Sequence, residues 1–283
     1  KFARKFTGKK KMVAMKGSYH GKSMGALSLT FNPKYRESFQ PLVEKVSFSP
    51  YGDLDALRDV IDKDTAFVIL EPIQGESGIH VPPEGFLQEV RKTCDENDSL
   101  LIFDEIQSGL GRTGSMWASE HWKTVPDIMC LAKGIAGGVP MGVTLVRPDI
   151  LAVMKKGEHS STFGGNPLAC AAGTATLQAL TQDGLIENAK SMGEKLSHGL
   201  EELKSKHTII REVRGKGLMI GVELKFEVKD ILMEGIKNGL LLLYSGRNIL
   251  RFLPPLVISE EDVVKTLQIL DKLLTNEENR RNA

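Results

Sequence analysis

Short apolar segments alternate with helical segments through the first half of this 283-residue chain. Five apolar segments predict β-strands: "KMVAMKG" (11–17), "TAFVILEP" (65–72), "SLLIFDE" (99–105), "PDIMCLAKG" (126–134) and "PMGVTLVR" (140–147). Helices are predicted between them over 54–62 and 83–97, the second opening with Pro83 and Glu84 in its first turn. This alternation predicts an α/β fold with helices on both faces of a mixed, mostly parallel sheet.

The pattern changes after about residue 166. Two long helical segments follow, "NPLACAAGTATLQAL" and "GLIENAKSMGEKLSHGLEELKSK". Strands are predicted within 211–224 and 240–258 and a last helix over 260–274, while the polar tail "TNEENRRNA" is expected to fray. We therefore predict two domains, a large one over residues 1–172 and a smaller α+β one over residues 173–283.

The composition argues against several kinds of protein. Lysine and arginine number 37 and aspartate and glutamate 36, so a net charge of +1 offers no basic field to nucleic acid. No apolar stretch approaches the roughly 18 residues of a membrane helix. The three cysteines are far apart, which predicts reduced thiols in a cytoplasmic protein, and the six scattered histidines form no metal-binding motif.

Charged residues stand where the predicted strands end. The segment "LLIFDEIQSGLGRTG" (100–114) passes from a buried strand directly to Asp104 and Glu105, and Glu71 and Lys133 follow two other strands. Ligands of open α/β sheets bind outside the carboxyl ends of the strands. Two interpretations are open: Asp104 and Lys133 pair with each other, or a cofactor lies between them. Pyridoxal phosphate needs a lysine for its aldehyde and an acid for its pyridine nitrogen.

Lys133 lies in "LAKGIAGG", between an apolar strand and a glycine-rich turn. The preceding "IMCLA" predicts that its side chain is at least partly buried. A desolvated lysine has a lowered pKa and is a nucleophilic amine that forms Schiff bases with carbonyl compounds.

Six motifs occur in the order found in one enzyme family. They are "YHG" (19–21), "EPIQGESG" (71–78), "FDEIQSGLGRTG" (103–114), "LAKGIAGGVPMG" (131–142), "STFGGNPLACAA" (161–172) and "RFLPPLVI" (251–258). In these motifs the chain resembles the class III pyridoxal-phosphate aminotransferases. It resembles most the acetylornithine and ornithine aminotransferase branch, which includes the enzymes of lysine synthesis on an amino-carrier protein. The resemblance implies the fold-type I architecture of a large and a small domain.

The resemblance also implies roles for cofactor-binding residues. Asp104 would pair with the pyridine nitrogen, and Gln107 would hydrogen-bond the ring hydroxyl oxygen. Tyr19 and Ile106 would pack against the two faces of the ring, although a core aromatic is an alternative interpretation of Tyr19. Lys133 would hold the cofactor covalently and act as the catalytic base. Thr162 would reach the phosphate of the neighbouring subunit's cofactor, which implies a homodimer.

Three residues are implied in substrate binding. Arg251 would clamp the α-carboxylate of glutamate, because arginine matches a carboxylate with two parallel hydrogen bonds. Glu76 would neutralise Arg251 when the other substrate is bound; a surface glutamate in a loop is the alternative. Lys22 stands where the family usually has a substrate-binding arginine. His20 is expected to be structural, and Arg112 is expected to be a turn residue paired with a nearby acid.

The implied reaction is transamination between glutamate or 2-oxoglutarate and the ω-position of an acylated or carrier-linked ornithine or lysine semialdehyde, in arginine or lysine biosynthesis. Another class III enzyme, such as an ornithine or 4-aminobutyrate aminotransferase or an aminomutase, is an alternative, and so is a non-catalytic fragment. The partners implied are amino-acid substrates, an amino-carrier protein and a second subunit. The family's phosphate-binding turn is missing before "KFARK", so we expect an N-terminally truncated chain.

Overall fold

The computed structural model describes residues 1–282, and the chain forms two compact units. The first comprises Lys1–Gln74, Pro82–Leu110 and Trp117–Ala179; the second comprises Gly75–Val81, Gly111–Met116 and the chain from Leu180 onward. The predicted border at residue 172 lies inside a helix, and two short segments placed by prediction in the large domain belong to the second unit. A sequence pattern follows the chain order, whereas compact units form from segments that pack together.

The first unit contains a six-stranded sheet. Its strands are β1 (Lys11–Met15), β2 (Val46–Ser49), β3 (Thr65–Leu70), β4 (Leu100–Asp104), β5 (Ile128–Leu131) and β6 (Val143–Val146), in the order β2-β1-β3-β4-β5-β6. All pairs are parallel except β5 with β6. Every residue of β3 and β4 is buried, as expected for central strands covered on both faces. The predicted α/β class and its mostly parallel sheet are confirmed.

Two features of the first unit differ from the sequence prediction. Strand β2 was not predicted, because it is a short edge strand with only one fully buried residue and therefore has no continuous apolar run. The helix predicted over 83–97 begins only at Phe86, because Gly85 has a left-handed φ of 77° at the N-cap. Pro83 and Glu84 therefore precede the helix instead of forming its first turn.

Seven helices begin in the first unit: α1 (Phe2–Thr7), α2 (Met24–Leu29), α3 (Pro33–Arg36), α4 (Leu54–Val60), α5 (Phe86–Glu96), α6 (Pro148–Ala152) and α7 (Pro167–Gln182). They include the connections that bring the parallel strands into one sheet. Within residues 1–282, no helix combines the length and the apolar character needed to cross a membrane.

The second unit is an antiparallel sheet packed against helices. Its elements are α8 (Leu185–Lys206), β7 (Ile210–Lys216), β8 (Met219–Leu224), α9 (Lys229–Lys237), β9 (Leu243–Ser245), β10 (Ile249–Phe252) and α10 (Glu260–Asn282), with strand order β7-β8-β10-β9. Helix α8 buries Leu196, Leu200 and Leu203, whose spacing of four and three residues places them on one face. They join the apolar side chains of β8 and α10 in one core.

The tail that was expected to fray is helical. Helix α10 continues to Asn282, because its last turns are held by ion pairs. Arg281 donates to the buried Glu277 at 2.6 Å, and Arg280 donates to Glu277 and to Asp230 of α9, both at 2.8 Å. Charges three and four residues apart stabilise a helix, and composition alone does not show this pairing.

Candidate active site

Three predicted site residues, Asp104, Lys133 and Tyr19, lie at one edge of the large sheet together with Glu71. Asp104 ends β4 and is in register with Cys130 of β5, and Lys133 follows the end of β5. Tyr19 follows β1, and its backbone N–H donates to Oε1 of Glu71, directly after β3, at 3.0 Å. These four strands are parallel, so the fold gathers their carboxyl ends at the edge where such sheets bind ligands.

The Asp104 carboxylate is buried and is held by two donors. Its Oδ1 accepts from the backbone N–H of Ile106 at 3.1 Å, and its Oδ2 lies 2.7 Å from Nδ1 of His20. Asp104 is 5% exposed, and Nε2 of His20 is buried with no hydrogen-bond partner. The contact agrees with the expectation that His20 is a structural hydrogen-bonding residue, and it places His20 directly beside Asp104. The sequence signal was its position beside Tyr19 in "YHG", but nothing in the sequence connects positions 20 and 104.

Glu105 has a different environment from the neighbouring Asp104. Its carboxylate accepts from the backbone N–H groups of Ala118 at 2.9 Å and Ser119 at 2.8 Å, and from the Ser108 hydroxyl at 2.9 Å. Burial raises the pKa of Glu105. Its partners are hydrogen-bond donors within the following loop, so it organises that loop instead of facing a ligand.

Lys133 has an unusual backbone conformation. It begins a short 3₁₀ turn, Lys133–Ala136, with a left-handed φ of 51°. Non-glycine residues seldom adopt this region, and such strain concentrates at functional sites. The prediction that Lys133 is partly buried was wrong for this chain: burial of the strand ends at Leu131, and the turn exposes the lysine.

The remaining predicted residues of the first unit are half-buried or exposed. Ile106 and Gln107 are half-buried in the turn after Asp104, and Tyr19 is half-buried with its ring edge-on to Tyr35 at 5.8 Å. Tyr19 is therefore not a core aromatic. Lys22 is exposed, with Nζ 4.9 Å from the centre of the Tyr35 ring. Thr162 lies in an exposed loop before α7.

The second unit contains the predicted pair of Glu76 and Arg251. Nη1 of Arg251 donates to Oε1 of Glu76 at 2.7 Å. The arginine side chain is 11% exposed and the glutamate side chain 43% exposed. The guanidinium is therefore mostly enclosed, while its carboxylate partner stands closer to solvent.

Arg112 also lies in the second unit, but its expected acidic partner was a wrong prediction. It donates instead to the backbone carbonyls of Leu218 at 3.2 Å and Pro254 at 2.5 Å. Burial lowers the pKa of its guanidinium to about 10.

The residues at the sheet edge fit pyridoxal phosphate. A buried carboxylate fixed by two donors, Asp104, can oppose a protonated ring nitrogen. The adjacent strand supplies a lysine in a strained turn as the amine for the aldehyde. Burial, together with the nearby Asp104 carboxylate, raises the pKa of the Cys130 thiol to about 12, so Cys130 remains a neutral neighbour.

Known proteins resemble this chain over nearly its whole length. The family described as aminotransferase class-III matches residues 1–274. An acetylornithine aminotransferase of Caldanaerobacter subterraneus is 46% identical over 96% of this chain and 69% of its own length. A [LysW]-aminoadipate semialdehyde/glutamate semialdehyde transaminase of Sulfolobus acidocaldarius is 41% identical over 99% and 72%, respectively.

A solved structure has the same fold. The ornithine aminotransferase of Toxoplasma gondii, crystallised with partial occupancy of PLP at its active site, superposes with a TM-score of 0.95. It is 33% identical and is matched over 100% of this chain and 70% of its own. Together with the cofactor-compatible edge of the sheet, these matches mean that the chain belongs to the class III aminotransferases, which depend on pyridoxal phosphate.

Proposed function

We propose that this protein transfers an amino group between glutamate or 2-oxoglutarate and the ω-position of an acylated or carrier-linked ornithine or lysine semialdehyde. This would place it in arginine or lysine biosynthesis. The names of the relatives from Caldanaerobacter and Sulfolobus support both acceptor types. An ornithine aminotransferase is the second candidate, supported by the fold shared with the Toxoplasma gondii enzyme.

The observation that carries this proposal is the ion pair between Arg251 and Glu76 at 2.7 Å. An enzyme of this type accepts glutamate through its α-amine and the other substrate through its ω-amine. A free Arg251 would bind the α-carboxylate of glutamate, but it would misdirect a substrate that must present its far end. Glu76 neutralises Arg251 in the second case, and its greater exposure fits a carboxylate that can move away.

The residues at the sheet edge of the first unit would carry out the amino transfer. When bound, pyridoxal phosphate supplies an aldehyde and an electron-withdrawing ring that stabilises negative charge on the substrate carbon. Asp104 would keep the ring nitrogen protonated, and His20 and the N–H of Ile106 hold the carboxylate in place. Nζ of Lys133 would take the proton from the carbon that bears the amine and deliver it to the aldehyde carbon of the cofactor.

Other residues would complete the site. Tyr19 and Ile106 would cover the two faces of the ring, Gln107 would bind its hydroxyl oxygen, and Lys22 would meet a substrate carboxylate. Thr162 would contact the phosphate of the cofactor bound to a second subunit. The proposed homodimer is supported by the nearby positions Phe163 and Leu168, whose apolar side chains are 80% and 71% exposed, because apolar surface exposed in one subunit can be covered by another.

Two further proposals concern the protein's surroundings. We also propose an amino-carrier protein as a partner, and the [LysW] group in the name of the Sulfolobus relative supports it. A reducing, cytoplasmic location is supported by Cys94, Cys130 and Cys170, which are free thiols.

Product analysis tests the proposed reaction. The purified protein, with added pyridoxal phosphate, is incubated with 2-oxoglutarate and with N-acetylornithine, ornithine or a carrier-linked lysine. We expect one glutamate for each semialdehyde formed, with the acylated or carrier-linked amine reacting faster than ornithine. Lys133→Ala is the matched control. A product formed without consumption of 2-oxoglutarate would indicate an aminomutase, and a preference for free ornithine would indicate the second candidate.

A further inference from the structure

The loop that contains Glu76, Gly75–Val81, lies on the antiparallel sheet within the second unit. Arg214 of β7 is in register with Gly221 of β8, and Gly221 is in register with Arg251 of β10. A Cβ on Gly221 would lie 3.1 Å from Cβ of Ile79 and 3.2 Å from the carbonyl oxygen of Gly78. The absence of a side chain at Gly221 therefore allows the loop to lie close to the sheet, in the row between the two arginines.

Two side chains of the sheet, Ser245 and the partly buried Arg214, attach this loop through its carbonyl groups. The Ser245 hydroxyl, on β9, lies 2.5 Å from the carbonyl oxygen of Glu76 and can donate to it; Ser245 is 2% exposed. Nε of Arg214 donates to the carbonyl oxygen of Gly78 at 2.9 Å. Nη1 of Arg214 is fixed in turn by Glu223 at 2.8 Å.

Two backbone hydrogen bonds within the loop are long. The N–H groups of Gly78 and Ile79 donate to the carbonyl oxygen of Gly75 at 3.3 and 3.4 Å, beyond the usual range for N–H donors. Ile79 also has a left-handed φ of 55°, which is unfavourable for a β-branched residue. The attachments to Ser245 and Arg214 therefore contribute to fixing the position of the loop.

We propose that Ser245 and Arg214 are positioning residues that determine how firmly Glu76 neutralises Arg251. This role rests on the proposed function of the Glu76–Arg251 pair. The 2.7 Å contact requires the Glu76 backbone to remain in place. Loosening either attachment releases Arg251 for the α-carboxylate of glutamate, so the enzyme loses preference for ω-amino substrates even though neither residue touches a substrate.

Ser245→Ala tests this role in single-turnover half-reactions. We compare kcat/KM for glutamate with that for the preferred ω-amine. A net hydrogen-bond contribution predicts a shift of about two- to tenfold toward glutamate, in the direction that Glu76→Ala produces. In a Glu76→Ala background, Ser245→Ala should have no further effect on the ratio. The matched control is Ser259→Ala, because the Ser259 hydroxyl bonds Asp262 at the start of α10.

Hydrogen exchange gives a readout that does not require the cofactor. We expect the Ile79 amide to exchange faster in Ser245→Ala than in the parent protein or in Ser259→Ala. Arg214→Lys is a second test that remains available if Ser245→Ala fails to fold. It keeps a positive charge for Glu223 but removes the Nε donor, so it should shift the substrate ratio and the Ile79 exchange rate in the same directions as Ser245→Ala.

Four outcomes would contradict the positioning role. Faster exchange of Ile79 with an unchanged substrate ratio would overturn the positioning role, and so would unchanged exchange. Additive effects of Ser245→Ala and Glu76→Ala would overturn it as well, because the serine would then act independently of the switch. If Glu76→Ala itself leaves the ratio unchanged, the proposed switch fails, and the positioning role fails with it.

Discussion

Nδ1 of His20 lies 2.7 Å from Oδ2 of Asp104, and the two side chains are only 3% and 6% exposed. A carboxylate enclosed to this degree requires donors, and the backbone N–H of Ile106 supplies the second one. The contact connects the loop after β1 with the end of β4. It holds the acid in one orientation at the ligand-binding edge of the sheet.

Replacing His20 should therefore destabilise the folded protein. His20→Leu leaves the Asp104 carboxylate buried with one donor fewer, which should lower the free energy of unfolding by about 1–3 kcal/mol. Denaturant unfolding monitored by circular dichroism measures the change. His198→Leu is the control, because the side chain of His198 is 80% exposed. Equal stabilities of the two variants would contradict a role for the contact.

Lys133→Ala should abolish turnover. The variant removes both the amine that holds the cofactor and the base that moves the proton, and general acid–base catalysis alone contributes about 10²–10⁴-fold. Turnover is measured with glutamate as donor, and Lys272→Ala on the surface of α10 is the control. Retention of more than roughly a hundredth of the parent rate would reject the assignment.

Asp104→Asn should preserve the shape of the site but remove its fixed negative charge. We expect a changed absorption spectrum of the bound cofactor and a large loss of turnover, because the ring nitrogen would no longer be kept protonated. The measurements are a cofactor titration followed by absorbance and a denaturation curve. A loss of stability with an unchanged cofactor spectrum would indicate that Asp104 is only a structural partner of His20.

Glu76→Ala should raise the preference for α-amino substrates over ω-amino substrates. Arg251 then remains free, and a hydrogen bond to a charged group is worth about 1.5–3 kcal/mol, so the ratio should change roughly tenfold or more. Single-turnover rates of both half-reactions give the ratio. Glu234→Ala, which removes an exposed acid paired with Lys237, is the control and should leave it unchanged.

Lys22→Arg should improve the use of free N-acetylornithine. An arginine fork gives a substrate carboxylate two charge-assisted bonds, whereas the exposed Lys22 offers a flexible point charge that also lies over the Tyr35 ring. We expect a gain of roughly tenfold in kcat/KM for the free substrate and little gain for a carrier-linked one, which binds through its carrier as well. Equal gains for both substrates, or no gain, would remove Lys22 as a determinant of specificity.

The sequence alone was sufficient to predict the fold class and to identify the charged residues that follow the buried strands. Continuous apolar runs such as Thr65–Leu70 and Leu100–Asp104 predict central parallel strands, because such strands are covered on both faces. Parallel strands place their carboxyl ends at the same edge of a sheet, so the sequence predicts that Asp104 and Lys133 lie at one edge. Local chemistry and periodicity carry this information, so it can be read along the chain.

Only the tertiary structure decided which side chains support those residues. His20 meets Asp104 across 84 positions of sequence, and Ser245 meets the Glu76 loop across 169. The exposure of Lys133, the edge strand β2 and the ion pairs of the last turns of α10 were decided there as well. Each depends on which surfaces meet after the chain has folded, and contacts between distant segments leave no periodic pattern in the sequence.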